Sequence, residues 1–365
     1  MKFKWMAGVA ILVVVVSAWW WLGKQTSSQS ANNVPKSSAA VSPETKPKIE
    51  PMLRAAADEL ASAQTAEAKR AALLRLQQAL ATGTTNEISA AIRRLLDAKM
   101  EASTGQGFKL GAGGALLEAP TLRTFLLDQL AAVDPAAAAA YAREILKSSG
   151  SPDEWALALR SLARNDTSPE AIALLKEKVG ELLRNEAWQK DPSVGYLEAF
   201  DTAVYLGSSS SLSPLSDLVR MKDNQAVAQA AYLALDRLTI NQPAETLAAL
   251  AEHPEWMTGR EETRANYFAR ADVGDPAQRR LVEKYLLDAS RGPAELQKFA
   301  GLFPNANFMI SNNLLTANAT PNNAALTQRD RASLDAVNAW LSDPRFANLH
   351  PLLQTMKARL EGFLK

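Results

Sequence analysis

From Met52 onward, apolar residues return every three or four positions along the chain. Leu73, Leu76 and Leu80 form one such set, and Ile88, Ile92, Leu95 and Leu96 a second. Leu122, Phe125, Leu126 and Leu130 make a third, and Val227, Ala231, Ala234 and Leu238 another. Leu353, Met356, Leu360 and Phe363 close the series. Side chains spaced in this way share one face of a helix. No stretch alternates apolar and polar residues with the β-branched content and hairpin turns of a strand. The polar breaks between the sets carry helix-start signals. Ser151-Pro152 and Ser168-Pro169 each place an N-cap Ser before a proline at the first helical position, Asp134-Pro135 precedes the Ala136 to Ala140 run, and Asp275-Pro276 marks another break. Asp191-Pro192 and Gln242-Pro243 punctuate the same pattern. The expected fold class is all-α, a multi-helix array with short connections.

A different pattern rules the first two dozen residues. After the basic start Met1-Lys2-Phe3-Lys4, the run from Trp5 to Leu22 carries no charge, and Gly23-Lys24 ends it. As a helix this run extends roughly 27 Å at about 1.5 Å per residue, close to a hydrocarbon core of about 30 Å. Trp5 stands at one end and Trp19, Trp20 and Trp21 at the other, where indole rings suit the two membrane interfaces. The sequence thus predicts one N-terminal transmembrane helix of the signal-anchor type, in contact with lipid. A cleaved signal peptide is the alternative, since Val16-Ser17-Ala18 offers small residues for a cut after Ala18. The tail before the run is too short to hold a domain, and a basic tail stays cytoplasmic. The expected location is therefore the bacterial inner membrane, single-pass, with the bulk of the chain in the periplasm.

Gln25 to Pro51 is rich in Ser, Pro, Asn and Lys and nearly free of apolar residues. Such a segment cannot bury enough surface to fold and is read as a disordered tether. Two later stretches also depart from the helical pattern. Thr104 to Gly114 holds five glycines and reads as a flexible connector. Pro304 to Gln328 is Asn-rich but includes Phe308, Met309, Ile310, Leu314 and Leu315, so part of it is expected to pack. A loop wrapped over the end of the helix array is one reading. An edge of a partner-binding surface is the other, with Phe308, Met309 and Ile310 as contact candidates. The expected organisation is an anchor (1–24), a linker (25–51), a helical repeat-like body (52–303), an Asn-rich loop (304–329) and a C-terminal helical cap (330–365).

Composition narrows the function further. Hydrophobic residues make up 47% and charged residues 22% of the 365 positions, a mix that buries a core. Residues 1–50 hold six Lys and two Glu, which leaves 34 basic against 37 acidic side chains in the remainder. A body so balanced, without a basic stretch, is not expected to bind nucleic acid. There is no Cys, which removes disulfides, thiolate chemistry and cysteine-based metal sites.

Leu212 to Leu238 resembles a HEAT-type helix pair. Leu215, Leu218 and Val219 suit its first helix, and the run Ala226 to Leu235 its second; Trp155 and Ile172 mark a fainter echo. The Asp-Val-Arg signature of that family is absent. The resemblance implies a HEAT- or TPR-like solenoid that binds a partner and has no activity of its own.

No catalytic, metal or cofactor motif stands out. The two histidines, His253 and His350, each precede proline and read as helix-end residues. Gly105 to Gly111 lacks the glycine spacing of a dinucleotide turn and follows no strand. Gly207-Ser208-Ser209-Ser210-Ser211 lacks the second glycine of a nucleophile elbow and reads as a helix stop before a capping Ser. Glu261-Glu262 and the Asp272/Asp275 pair are carboxylates close in sequence only; neighbours on a helix point apart. Trp155, Trp188, Trp256 and Trp340 sit at helical positions and read as core anchors. The expected function is a membrane-tethered scaffold or adaptor for a protein partner in the cell envelope. The alternative is an all-α envelope enzyme acting on cell-wall glycan, because such chemistry needs only two carboxyl groups.

Overall fold

The structure is a computed structural model that describes residues 49–307, 309–317 and 321–365. The anticipated anchor, with Trp5, Trp19, Trp20 and Trp21, and the linker up to residue 48 lie outside the described residues. Among those residues, no helix is long and apolar enough to cross a membrane.

The described chain is all-α. Helices α1 (Ile49–Ser62), α2 (Ala66–Leu80) and α3 (Thr85–Asp97) lead to a small hairpin of β1 (Lys109–Leu110) and β2 (Leu116–Glu118). Then come α4 (Leu122–Val133), α5 (Pro135–Ser148), α6 (Pro152–Asn165) and α7 (Pro169–Leu183). Three short helices follow, α8 (Glu186–Lys190), α9 (Val194–Glu198) and α10 (Asp201–Leu206). The pair α11 (Leu212–Val219) and α12 (Gln225–Asn241) is next, then α13 (Pro243–Glu252), α14 (Glu261–Phe268), α15 (Pro276–Leu287) and α16 (Pro293–Leu302). Helices α17 (Asn323–Ser342) and α18 (His350–Phe363) end the chain.

The caps explain where helices begin. The side chains of Ser151, Ser168 and Asp134 accept from the backbone N–H groups of Glu154, Ala171 and Ala137, each just ahead of a proline. Each such cap satisfies a donor that the helix cannot pair internally, worth about 1 kcal/mol. Asp191-Pro192 is not itself a start: Ser193 caps α9 instead, accepting from Tyr196 N. Gly207 ends α10 in the left-handed region at φ 56°, the conformation in which glycine has no Cβ penalty.

Helices pack on their immediate neighbours, α1 on α2, α5 on α6, α11 on α12 and α17 on α18. They also pack on next-but-one neighbours, as α4 does on α6, α10 on α12, α13 on α15 and α14 on α16. One continuous core results, from Ile49 to Leu360. The periodic sets read from the sequence supply it, with Phe363 the exception at 57% exposure. That ring lies at the last turn of α18, under the guanidinium of Arg359 rather than against another helix.

Three other expectations change. Ile49, the first described residue, already lies in α1, and its buried side chain joins the core. The glycine-rich stretch 104–114 is a packed hairpin arm rather than a flexible connector. Phe108, Leu110 and Gly114 are buried, and Arg160 donates to the Gly114 carbonyl at 2.6 Å while its other nitrogen lies 2.7 Å from Asp128. Finally, α17 begins at Asn323, inside the Asn-rich stretch, with the Asn322 side chain as its cap.

The described part of the Asn-rich stretch does not cover the end of the array. It crosses back to the middle of the chain, and we call it the strap. Leu314 is fully buried. Its carbonyl accepts from Arg164 of α6 at 2.8 Å, and Asn312 donates to the Leu110 carbonyl at 3.3 Å. The cause is the polar floor beneath it. Gly113, Gly114, Leu314 and Leu315 bring bare backbone groups to Arg160, Arg164 and Asp201, and buried backbone groups require such partners.

Candidate binding cavity

Helix α12 has two working faces. Val227, Ala231, Ala234, Leu235 and Leu238 point into the core. Ala226, Gln229, Ala230, Leu233, Arg237 and Ile240 lie on the opposite face and line a cavity of about 760 Å³. Spacings of three and four along a helix put these residues in one stripe. The facing wall is built by Leu197 and Glu198 of α9, Arg270 and Asp272 after α14, Gln278 of α15, Arg329 of α17 and the strap. The volume lies within the range of pockets that take a ligand of several hundred daltons.

The strap wall is fixed by one carboxylate. Asp201, 1% exposed, accepts the N–H of Leu315 at 2.7 Å, the N–H of Thr316 at 2.8 Å and the Thr316 hydroxyl at 2.5 Å. Arg237 of α12 closes the set with Nη1 at 3.0 Å from Asp201. A buried carboxylate needs partners of this kind to offset its lost hydration.

A second ion pair closes the floor. Arg270 grips both oxygens of Asp236, one at 2.7 Å, and donates to the Asn305 carbonyl at 3.4 Å. Burial pushes the Asp236 carboxyl above its ordinary range, and Arg270 opposes that shift. Asn305 donates to Asn266 at 2.6 Å, and Asn266 in turn to the Tyr232 hydroxyl. Arg329 donates to the carbonyls of Arg270 and Ala271, while burial lowers its affinity for a proton and the charge of Asp272 opposes that.

Glu198 differs from these. It makes no hydrogen bond or ion pair with any described residue, although it is partly buried at the cavity wall. Burial raises its carboxyl pKa; the Arg237 charge lowers it and the Asp201 charge raises it. The rest of the lining mixes amides (Gln229, Asn241, Asn312 and Asn313), hydroxyls (Thr239, Ser311 and Thr316) and apolar groups such as Leu197, Leu233, Ile240 and Met309. An amide offers a donor and an acceptor together, the pair a peptide group also presents.

Of the contact candidates from the sequence, Met309 lines the cavity and is 53% exposed, Ile310 is 75% exposed, and Phe308 lies outside the described residues. Trp155 and Trp340 are core residues at 7% and 1% exposure, whereas Trp188 and Trp256 are only partly buried. His253 stacks on Trp256, ring centres 4.3 Å apart, and faces Glu255; His350 opens α18. Glu261 accepts from Gly259 N, and Glu262 lies 3.5 Å from Lys298, so the two turn apart. Asp272 reaches the cavity while Asp275 caps α15. Among the described residues no cluster of His, Asp and Glu is arranged to hold a metal ion.

Sequence reasoning missed Glu198, Asp201, Arg237, Arg270 and Arg329. Only α12 carried a readable signal, a second stripe of small and polar residues opposite its apolar one. No family model, curated protein or solved structure matches the chain.

Proposed function

We propose that this chain is a membrane-tethered scaffold or adaptor of the cell envelope that holds a polypeptide partner in the cavity between α12 and the strap. In this reading the run from Trp5 to Leu22 anchors the chain, residues 25–48 form the tether, and the helical body lies outside the cytoplasm. The body is an α-solenoid of helix pairs in the HEAT or TPR manner. Packing of helices on both first and second neighbours supports that architecture.

The observation that carries the reading is the cavity itself. One wall is the outer stripe of α12, and the other is a strap that sets Asn305, Asn312 and Asn313 among small, hydroxyl and apolar side chains. Amide groups at intervals, with Leu233, Ile240 and Met309 between them, match an extended polypeptide, which offers backbone polar groups and alternating side chains. A cavity-filling substitution on the stripe, Ala230→Trp, is the test. The full-length variant should keep its helical circular dichroism and its membrane location yet fail to co-purify the partner that the natural chain retains. Retention of the same partner by the variant would remove the cavity from the reading.

A glycan-cleaving enzyme is the second reading, favoured by the raised carboxyl of Glu198 in a cavity. It needs a second carboxyl group of distinct role. Asp201 and Asp236 are both committed to guanidinium groups, and Asp272 accepts from Gly274 N at 2.9 Å, which weighs toward binding. Turnover of purified cell-wall fragments, lost in Glu198→Gln, would reverse that preference.

A further inference from the structure

Three carboxylates line the cavity. Asp236 is clamped by both arms of Arg270, and Asp272 accepts from Gly274 N at 2.9 Å with Arg329 as its facing charge. Glu198 is the exception. Arg237 faces it, but that guanidinium is drawn to Asp201 at 3.0 Å, and Asp201 is itself saturated by the strap. Glu198 is therefore a partly desolvated carboxylate that no described residue hydrogen-bonds. It sits at the end of an apolar strip that includes Leu197 and Leu233.

We infer that Glu198 is the recognition point for a primary ammonium group, and specifically for a lysine side chain of the polypeptide held in the cavity. This rests on the polypeptide-binding reading above and adds a sequence preference to it. A lysine matches both halves of the subsite. Its four-carbon stem covers apolar surface while its head reaches the carboxylate. A compact ammonium supplies three donors to an acceptor that has none. The like charge of Arg237 stands on the side held by Asp201, so the free approach to Glu198 is from the cavity. On the other walls Arg270 is held in an ion pair with Asp236, and Arg329 is engaged by the carbonyls of Arg270 and Ala271 with the charge of Asp272 nearby.

The experiment uses the detergent-solubilised full-length chain and fluorescein-labelled octapeptides of Ala and Leu. One central position carries Lys, Gln, norleucine or Glu, and binding is read by fluorescence anisotropy. The Lys peptide should bind about tenfold tighter than the Gln peptide, the effect of one hydrogen-bonded charge, and the Glu peptide weakest. In Glu198→Gln that ratio should fall to near one. A Lys preference that survives Glu198→Gln would overturn the subsite and leave the polypeptide reading in place. Failure of every peptide to bind would overturn both, as would binding of a glucosamine hexamer in their stead.

Discussion

Thr316 gives Asp201 both its backbone N–H and its hydroxyl, although the two lie 115 positions apart in the chain. This pair makes one wall of the cavity. Besides it, the Leu315 N–H on Asp201, buried Leu314, the Arg164 contact and Asn312 on the Leu110 carbonyl hold the strap against the middle of the array.

Replacing Asp201 by Ala removes the acceptor from three donors and breaks the ion pair with Arg237. The expected loss of stability is about 3–5 kcal/mol, the usual effect of breaking a buried charged network. Asp201→Asn keeps one acceptor oxygen and should lose less. Urea unfolding gives the first quantity. Hydrogen exchange at the Leu315 and Thr316 amides should accelerate in both variants, and unchanged protection there would contradict the anchoring role.

Gly113 and Gly114 make an internal comparison. Both have positive φ, 67° and 70°, where a side chain costs roughly 1–2 kcal/mol. A Cβ on Gly113 meets nothing within 4 Å, whereas on Gly114 it would lie 2.2 Å from the Leu314 carbonyl oxygen. Gly113→Ala should therefore cost about 1 kcal/mol and leave the strap in place. Gly114→Ala should cost about 3 kcal/mol or more, because backbone has to move. Equal melting temperatures for the two variants would show that the strap does not rest on the hairpin.

How much of this was legible beforehand follows the range of the interactions. The helices were, because their signals are local: periodic Leu and Ala, and Ser-Pro or Asp-Pro at the starts. The hairpin arm was not, since Leu110 and Gly114 become structural only through Asn312, Leu314 and Arg160, far away in the chain. The cavity was hidden for the same reason. Asp201, Arg237 and Thr316 look like ordinary surface residues until the fold brings them within 3.0 Å. Met309 was singled out for its place in a polar stretch, and the structure puts it at the cavity edge.

Acid should weaken the body through specific carboxylates. The side chain and backbone N–H of Ser168, with Arg143, hold Asp166 at a pKa of about 2, below the 3.8 of a free aspartate side chain. The folded state then binds this proton less readily than the unfolded chain does. The contribution is fully present above pH 3.8 and is lost as pH falls toward 2. Asp166→Asn should flatten the decline in unfolding free energy across that window. A decline of unchanged slope would show that Asp166 is not responsible for it.

Met309→Ser and Ile310→Ser test the exposed side of the strap. Both side chains are more than half exposed, so the melting temperature should shift by no more than about 0.5 kcal/mol warrants. Capture of the partner should nevertheless weaken, as it should on replacing Phe308. A large loss of stability would instead mark these residues as part of the core.

The central claim is that a polypeptide occupies the cavity beside α12. A photoreactive phenylalanine analogue at Ile240, 44% exposed on the cavity stripe, tests it in intact cells. The control is the same analogue at Leu287, 37% exposed and outside the lining. Illumination should join one discrete polypeptide to the chain from position 240, not from 287, and Ala230→Trp should abolish the product. Equal labelling from both positions, or none from 240 in a folded, membrane-located chain, would contradict the account.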